Sequence, residues 1–288
     1  ADFEKMLTDM PKPIGVDANF GVIDAQGGAA YYETGNFGFK KIDANDPAVA
    51  PFGLLIRTNH SFTGNPEVGF GYIRYAAASE ALNTALAQKE LDPQYIINNL
   101  SRNLNHSLTK INLRENLPAS ADDAPFTYFE DYIPRPSTAS VMLVVGAAKG
   151  EDPANSMMWT LAGFPLTTVA VPLWVSAGKQ IPAVVSMKDN LHSPLCDAGM
   201  ALKRQLFPIT RGSGPKYMNV AVLLNRENTG ILQKLAPVEN EIFSKTAQMV
   251  ATTPPKGKAQ KEMILEHYKW IDSYIIQSYR ELFGIEVR

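Results

Sequence analysis

Strand-like and helix-like sequence fall in separate blocks along this chain, and that order restricts the fold more than any single motif does. Val16, Ala18, Phe20 and Val22 alternate with Asp17, Asn19 and Gly21, the period of two expected of a half-buried strand. Asp24-Ala25-Gln26-Gly27-Gly28 supplies the residues of a tight turn, and further strands over 29–33 and 38–42 complete an antiparallel meander. Past a loop around Pro47, the apolar run 54–58 has the character of a fourth strand. Tyr75, Ala78, Leu82 and Leu86 then recur at helical spacing. Asp92-Pro93 opens a second helix, with Ile97, Leu100, Leu104 and Leu108 on its inner side.

From Ser140 the chain returns to strands. Residues 141–145 are apolar and β-branched, as a strand buried on both faces should be, and 157–161 and 168–171 continue the sheet. Ser193-Pro194 caps a helix that reaches Leu206, and 217–224 fits strand or helix equally well. An amphipathic helix over 261–283 turns Ile264, Ile271, Ile275 and Leu282 inward. Strands that do not alternate one-to-one with helices disfavour a doubly wound parallel sheet. The fold class is therefore α+β, and two antiparallel sheets packed face to face with helices outside fit the order. A length of 288 residues, 45% of them hydrophobic, suffices for one large core, and no linker or repeat divides it, so 1–288 reads as a single domain.

Composition excludes several functions. The 27 basic residues are dispersed and net charge is −2, so no basic stripe awaits a nucleic acid. No apolar run is long enough to span a bilayer. The one cysteine, Cys196, permits no internal disulfide. His60, His106, His192 and His267 lie far apart, without a paired-cysteine or His-Glu-x-x-His motif, so neither a metal nor another cofactor is expected. His192 and Cys196 are four apart, but the helix start at Ser193-Pro194 falls between them, and Cys196 reads as structural. A homo-oligomer stays open.

The stretch with most chemical promise runs from Leu54 to Phe62, where an apolar run ends in Arg57-Thr58-Asn59-His60-Ser61. Such an end either starts a turn or holds polar groups rigidly over a pocket. Arg74 stands at the start of the next helix, where the dipole favours anions, so it is either solvated or has another task such as clamping a carboxylate. Phe62, Phe70, Tyr72, Met157 and Trp159 could line an apolar pocket, and for Met157 and Trp159 a place in the core is the better reading.

The run from Asn19 to Thr34, then Arg57-Thr58-Asn59-His60, then Ile73-Arg74-Tyr75 entering a helix, resembles the acyl-coenzyme A:6-aminopenicillanic-acid acyltransferase family of N-terminal-nucleophile (Ntn) hydrolases. Choloylglycine hydrolases and acid ceramidases are more distant relatives of that family. Pro134-Arg135-Pro136-Ser137-Thr138-Ala139-Ser140, Met158-Trp159-Thr160 and Gly163-Phe164-Pro165 resemble its bacterial branch. The likeness covers roughly residues 1–175, and rests on the order and spacing of the motifs together.

The resemblance implies a four-layer αββα sandwich and a mature N-terminal cysteine whose own α-amino group serves as base. It implies hydrolysis or transfer of an N-acyl group on a small-molecule substrate through an acyl-cysteine. Asn59 would polarise the acyl carbonyl and Arg74 would close the polar network at the nucleophile. Thr58, His60 and Arg135 are further catalytic or substrate-binding candidates. The family's cysteine belongs to strands before the helix on which this chain opens, so the expectation is a fragment truncated at its N-terminus and inactive alone. Bacterial relatives favour export to the periplasm or medium. Two other readings stand beside it: a non-catalytic small-molecule-binding protein on the same sandwich, and an unrelated hydrolase built on His192 and Cys196.

Overall fold

A computed structural model describes residues 2–59, 62–63, 70–148, 150–187, 192–253 and 256–288. It is a mixed α+β structure, 41% helix and 17% strand, with several small antiparallel sheets. Helix α1 (Asp2–Asp9) precedes the expected meander of β1 (Ala18–Ile23), β2 (Ala29–Gly35) and β3 (Gly38–Asp43), which pair in the order β1-β2-β3. Asp24 closes the first turn, its carboxylate accepting from the backbone N–H of Gln26 and Gly28. The register sets Asn19 opposite Glu33 and Glu33 opposite Lys40, so these three polar residues share one face. The other face carries α1: Phe3 packs edge-on against Phe20 and Tyr32, and the Tyr32 hydroxyl donates to Glu4 at 2.8 Å.

Residues 54–58 are not a strand. The run is apolar enough to pair, but side chains link it to the meander: Asn19 Nδ2 donates to the Thr58 carbonyl at 2.9 Å, and Arg57 Nε donates to Glu33 at 2.8 Å. Helix α2 (Tyr72–Gln88) follows, burying Ala77, Ala78, Leu82 and Ala85. The Asp92 cap forms, accepting from Tyr95 N at 2.7 Å, but the helix is shorter than its apolar spacing predicts. One turn, α3 (Pro93–Tyr95), widens into a π-helix over Ile96–Ser101 and ends there, leaving Leu104 and Leu108 outside it. The next residue, Arg102, is 3% exposed and points into the core.

Two short ribbons come next, β4 (Asn105–His106) with β5 (Ile111–Asn112), and β6 (Phe126–Tyr128) with a later strand. The second three-stranded sheet is β7 (Ser140–Val145), β8 (Met157–Ala162) and β9 (Val171–Trp174), antiparallel in that order. Strand β7 is not buried on both faces. It lies at the sheet edge, with Val141, Leu143 and Val145 packed against the core and Met142 and Val144 exposed.

Helix α4 (Pro194–Leu206) begins where Ser193-Pro194 indicates, with the Ser193 hydroxyl accepting from Cys196 N. The ambiguous stretch 217–224 divides between the two predicted forms: β10 (Tyr217–Asn219) pairs with β6 and α5 (Val220–Leu223) follows at once. Two long helices, α6 (Ile231–Thr252) and α7 (Lys258–Phe283), complete the chain. They supply Leu235, Ile242, Ile271, Ile275 and Tyr279 to the main core, against the β8 side chains Trp159 and Leu161. The Trp159 ring sits 4.3 Å from that of Phe243 on α6, so Trp159 belongs to the core. Each such aliphatic side chain contributes about 1.5–3 kcal/mol by leaving water.

A polar hub crosses this core. Glu239 of α6 accepts from two Arg102 nitrogens and from Ala170 N, while Arg102 also donates to the Pro165 and Thr168 carbonyls and to Asn98. A buried ion pair repays its desolvation only when its remaining donors and acceptors are satisfied, as they are here. His267 of α7 is also buried, its Nε2 2.9 Å from Thr246 Oγ1, and burial pulls it down to about 4. Among the described residues no helix is long and apolar enough to cross a membrane.

Candidate active site

The polar face of the meander looks onto a cavity of about 1170 Å³. Its opposite walls are the extended run 55–59 and one stripe of α2. The run is held from both sides. Besides the Asn19 bond, Thr58 Oγ1 donates to the Gly71 carbonyl at 3.2 Å, and Phe70 N donates to the Asn59 carbonyl at 3.2 Å.

Beneath it lies an ion pair to which the sequence reading gave no role. Glu33 of β2 is 5% exposed and accepts from Arg57 Nε at 2.8 Å. The same carboxylate takes the backbone N–H of Phe62 and Thr63, at 3.3 and 3.0 Å, and the Thr63 hydroxyl. The Arg57 guanidinium lies 4.5 Å from the Phe62 ring centroid and 5.8 Å from that of Tyr31. One carboxylate thereby ties residue 57 to residues 62 and 63. The signal in the sequence was a single charge of each sign, Glu33 in an alternating strand and Arg57 in an apolar run.

Two expected residues meet at the cavity wall. Arg74 Nη2 donates to Asn59 Oδ1 at 2.6 Å. Gly71 makes the approach possible. It adopts φ +89°, and a β-carbon there would stand 2.8 Å from Arg74 Nη2 and 3.3 Å from the Thr58 β-carbon. A guanidinium carries only donors, so the bond settles which way the Asn59 amide faces: oxygen to the arginine, Nδ2 free to donate elsewhere. Among the described residues nothing accepts from Asn59 Nδ2, and no carboxylate forms a salt bridge with Arg74. Burial, and then the charge of nearby Arg135, hold the Arg74 guanidinium below its usual basicity, opposed by Asp131 and Glu130. Arg135 thus lies in the electrostatic neighbourhood of the pair, although it does not line the cavity. Thr58 lines it and acts as a structural anchor. His60 lies outside the described residues.

Other candidates fall elsewhere. His192 Nδ1 is 3.1 Å from Asp197 Oδ1, so its partner is the aspartate. Cys196 is half-buried and not on the cavity wall, and burial followed by the charge of Asp197 pushes its thiol up, which keeps it protonated at neutral pH. Thr34, on the cavity wall, keeps a buried hydroxyl without a partner among the described residues. Phe62, Phe70 and Tyr72 are exposed beside the Asn59 loop. Among the described residues no three His, Cys, Asp or Glu side chains cluster as a metal centre requires.

Such a wall can present a fixed amide donor to a carbonyl oxygen, with a cation behind it to keep that donor in place. Compared with known proteins, the chain matches no family profile, no curated protein and no solved structure.

Proposed function

We propose that this chain is the frame of an Ntn-type amide hydrolase or acyltransferase, an αββα sandwich whose nucleophilic cysteine lies N-terminal to residue 1 in the full-length protein. The observation that carries the reading is the Arg74–Asn59 bond on the cavity wall, which leaves Asn59 Nδ2 as a donor of fixed direction. The motifs that resemble the family supply Asn59 and Arg74 independently. In this reaction the α-amino group of the cysteine takes the thiol proton, and the sulfur attacks the acyl carbon of an N-acyl substrate. Asn59 Nδ2 donates to the oxyanion that forms. Collapse breaks the C–N bond, the amine leaves with the proton, and water or a second amine resolves the thioester. A donor of this kind contributes about 3–4 kcal/mol when it faces the developing charge.

In the full-length protein, Asn59→Ala then lowers kcat by about 10²–10³ with little change in KM. Unchanged turnover would remove Asn59 from the mechanism. The alternative, a binding protein on the same frame, is favoured by a cavity wall on which no thiol stands. It predicts saturable binding of N-acyl compounds and no turnover by the full-length protein.

A further inference from the structure

The cavity differs in character from one end to the other, and α2 shows how. Arg74, Ala78 and Leu82 all line it, and at spacings of four they form one stripe along the helix. The stripe starts at the guanidinium bound to Asn59 and becomes apolar within a turn. Leu100, from the π-helical segment, and Ile133 join Ala78 and Leu82 on the wall. None of these four side chains carries a polar atom, so this part of the wall offers nothing to a hydrogen-bonding group. From Arg74 to Leu82 the helix rises roughly 12 Å, the reach of an extended chain of roughly ten carbons, so an octanoyl chain fits within it. Ala78, 7% exposed, sits in the middle of the stripe, and a larger side chain there would take the room between Arg74 and Leu82.

We propose that the cavity receives an unbranched aliphatic acyl chain laid along α2, with the acyl carbonyl at Asn59 and with Ala78 as the residue that determines how long a chain fits. This rests on the N-acyl reading above and names the acyl half of the substrate.

The test is equilibrium binding by titration calorimetry on the full-length protein with the proposed nucleophilic cysteine changed to alanine, which prevents turnover, with N-octanoylglycine and N-acetylglycine as probes. They share the amide and the carboxylate and differ by six methylenes. If half of those are buried, the octanoyl probe binds roughly 60-fold more tightly, at about fourfold per methylene. Ala78→Leu is expected to cut that ratio below about tenfold while leaving N-acetylglycine affinity within about twofold. Leu100→Phe enlarges a second apolar lining residue, from the π-helical segment, and is expected to do the same, which keeps the test available should the first variant fold poorly. A preference for octanoyl that survives both substitutions overturns the placement along α2. Equal affinities for the two probes without either substitution overturn the aliphatic slot and leave the N-acyl reading intact, provided that Asn59→Ala weakens both. Absence of binding by either probe at millimolar concentration overturns both readings together.

Discussion

Gly71→Ala is the smallest perturbation that should separate Arg74 from Asn59. Gly71 holds φ +89°, a left-handed conformation that costs an L-residue about 1–2 kcal/mol. A β-carbon there would stand 2.8 Å from Arg74 Nη2, 3.2 Å from Arg74 Cζ and 3.3 Å from the Thr58 β-carbon. Thr58 has little freedom to retreat, because its carbonyl is held by Asn19 and its hydroxyl by the Gly71 carbonyl. The guanidinium is the mobile end of a long side chain and should yield instead, breaking the 2.6 Å bond to Asn59 Oδ1. Loss of that charge-assisted bond at a partly open site adds about 1 kcal/mol, so the total destabilisation is about 2–3 kcal/mol. Urea denaturation followed by circular dichroism measures the total. The Asn59 side-chain amide resonances, observed by NMR, report the bond itself and should move toward those of Arg74→Ala. A variant that loses stability while the Asn59 resonances stay in place would refute the claim that Gly71 exists to admit the arginine.

Glu239→Gln leaves Arg102 buried beside a neutral partner and is expected to lower stability by about 3–5 kcal/mol, read as a fall in the urea midpoint. Pairing Arg102→Met with Glu239→Leu should recover most of that loss, and a single-variant loss under about 1 kcal/mol would contradict the hub. His267 has its pKa held at about 4, below the value near 6.5 of an unfolded chain, so between those values the unfolded state binds the extra proton. Its contribution is complete above about pH 7 and is lost as pH falls toward 4, by roughly 3 kcal/mol in all. Stability measured across pH 4–7 should therefore be less pH-dependent in His267→Gln than in the unsubstituted chain, and equal slopes would contradict the assignment.

Local rules recovered the elements that local rules govern. The meander follows from alternation and one Asp-Gly turn, and the start of α4 follows from Ser193-Pro194, because a cap and a turn each depend on a few neighbouring residues. What failed depended on distant partners. Residues 54–58 have the composition of a strand but pair with none among the described residues; side chains, Asn19 to Thr58 and Glu33 to Arg57, join them to the meander instead. The second helix of the predicted pair stops at Ser101 because Arg102 must turn to a carboxylate 137 residues away. Helix α6 was not predicted at all: Pro237 lies within it, and the buried Glu239 and Thr246 interrupt its apolar stripe. Of the cavity-wall pair, Arg74 was legible as a polar residue at a helix start, whereas Asn59 was read at the end of a strand that does not form. The Glu33–Arg57 pair on the same cavity wall was not legible, since a buried charge can be recognised only once its partner is known.

If Asn59 faces an acyl carbonyl attacked by the proposed upstream cysteine, 4-nitrophenyl acetate should acylate that cysteine in the full-length protein. Mass spectrometry after an acid quench, with peptide mapping to locate the adduct, should find one acetyl group on the first cysteine of the mature chain, formed more slowly in Asn59→Ala. An adduct on Cys196, or none on any cysteine, would contradict the account.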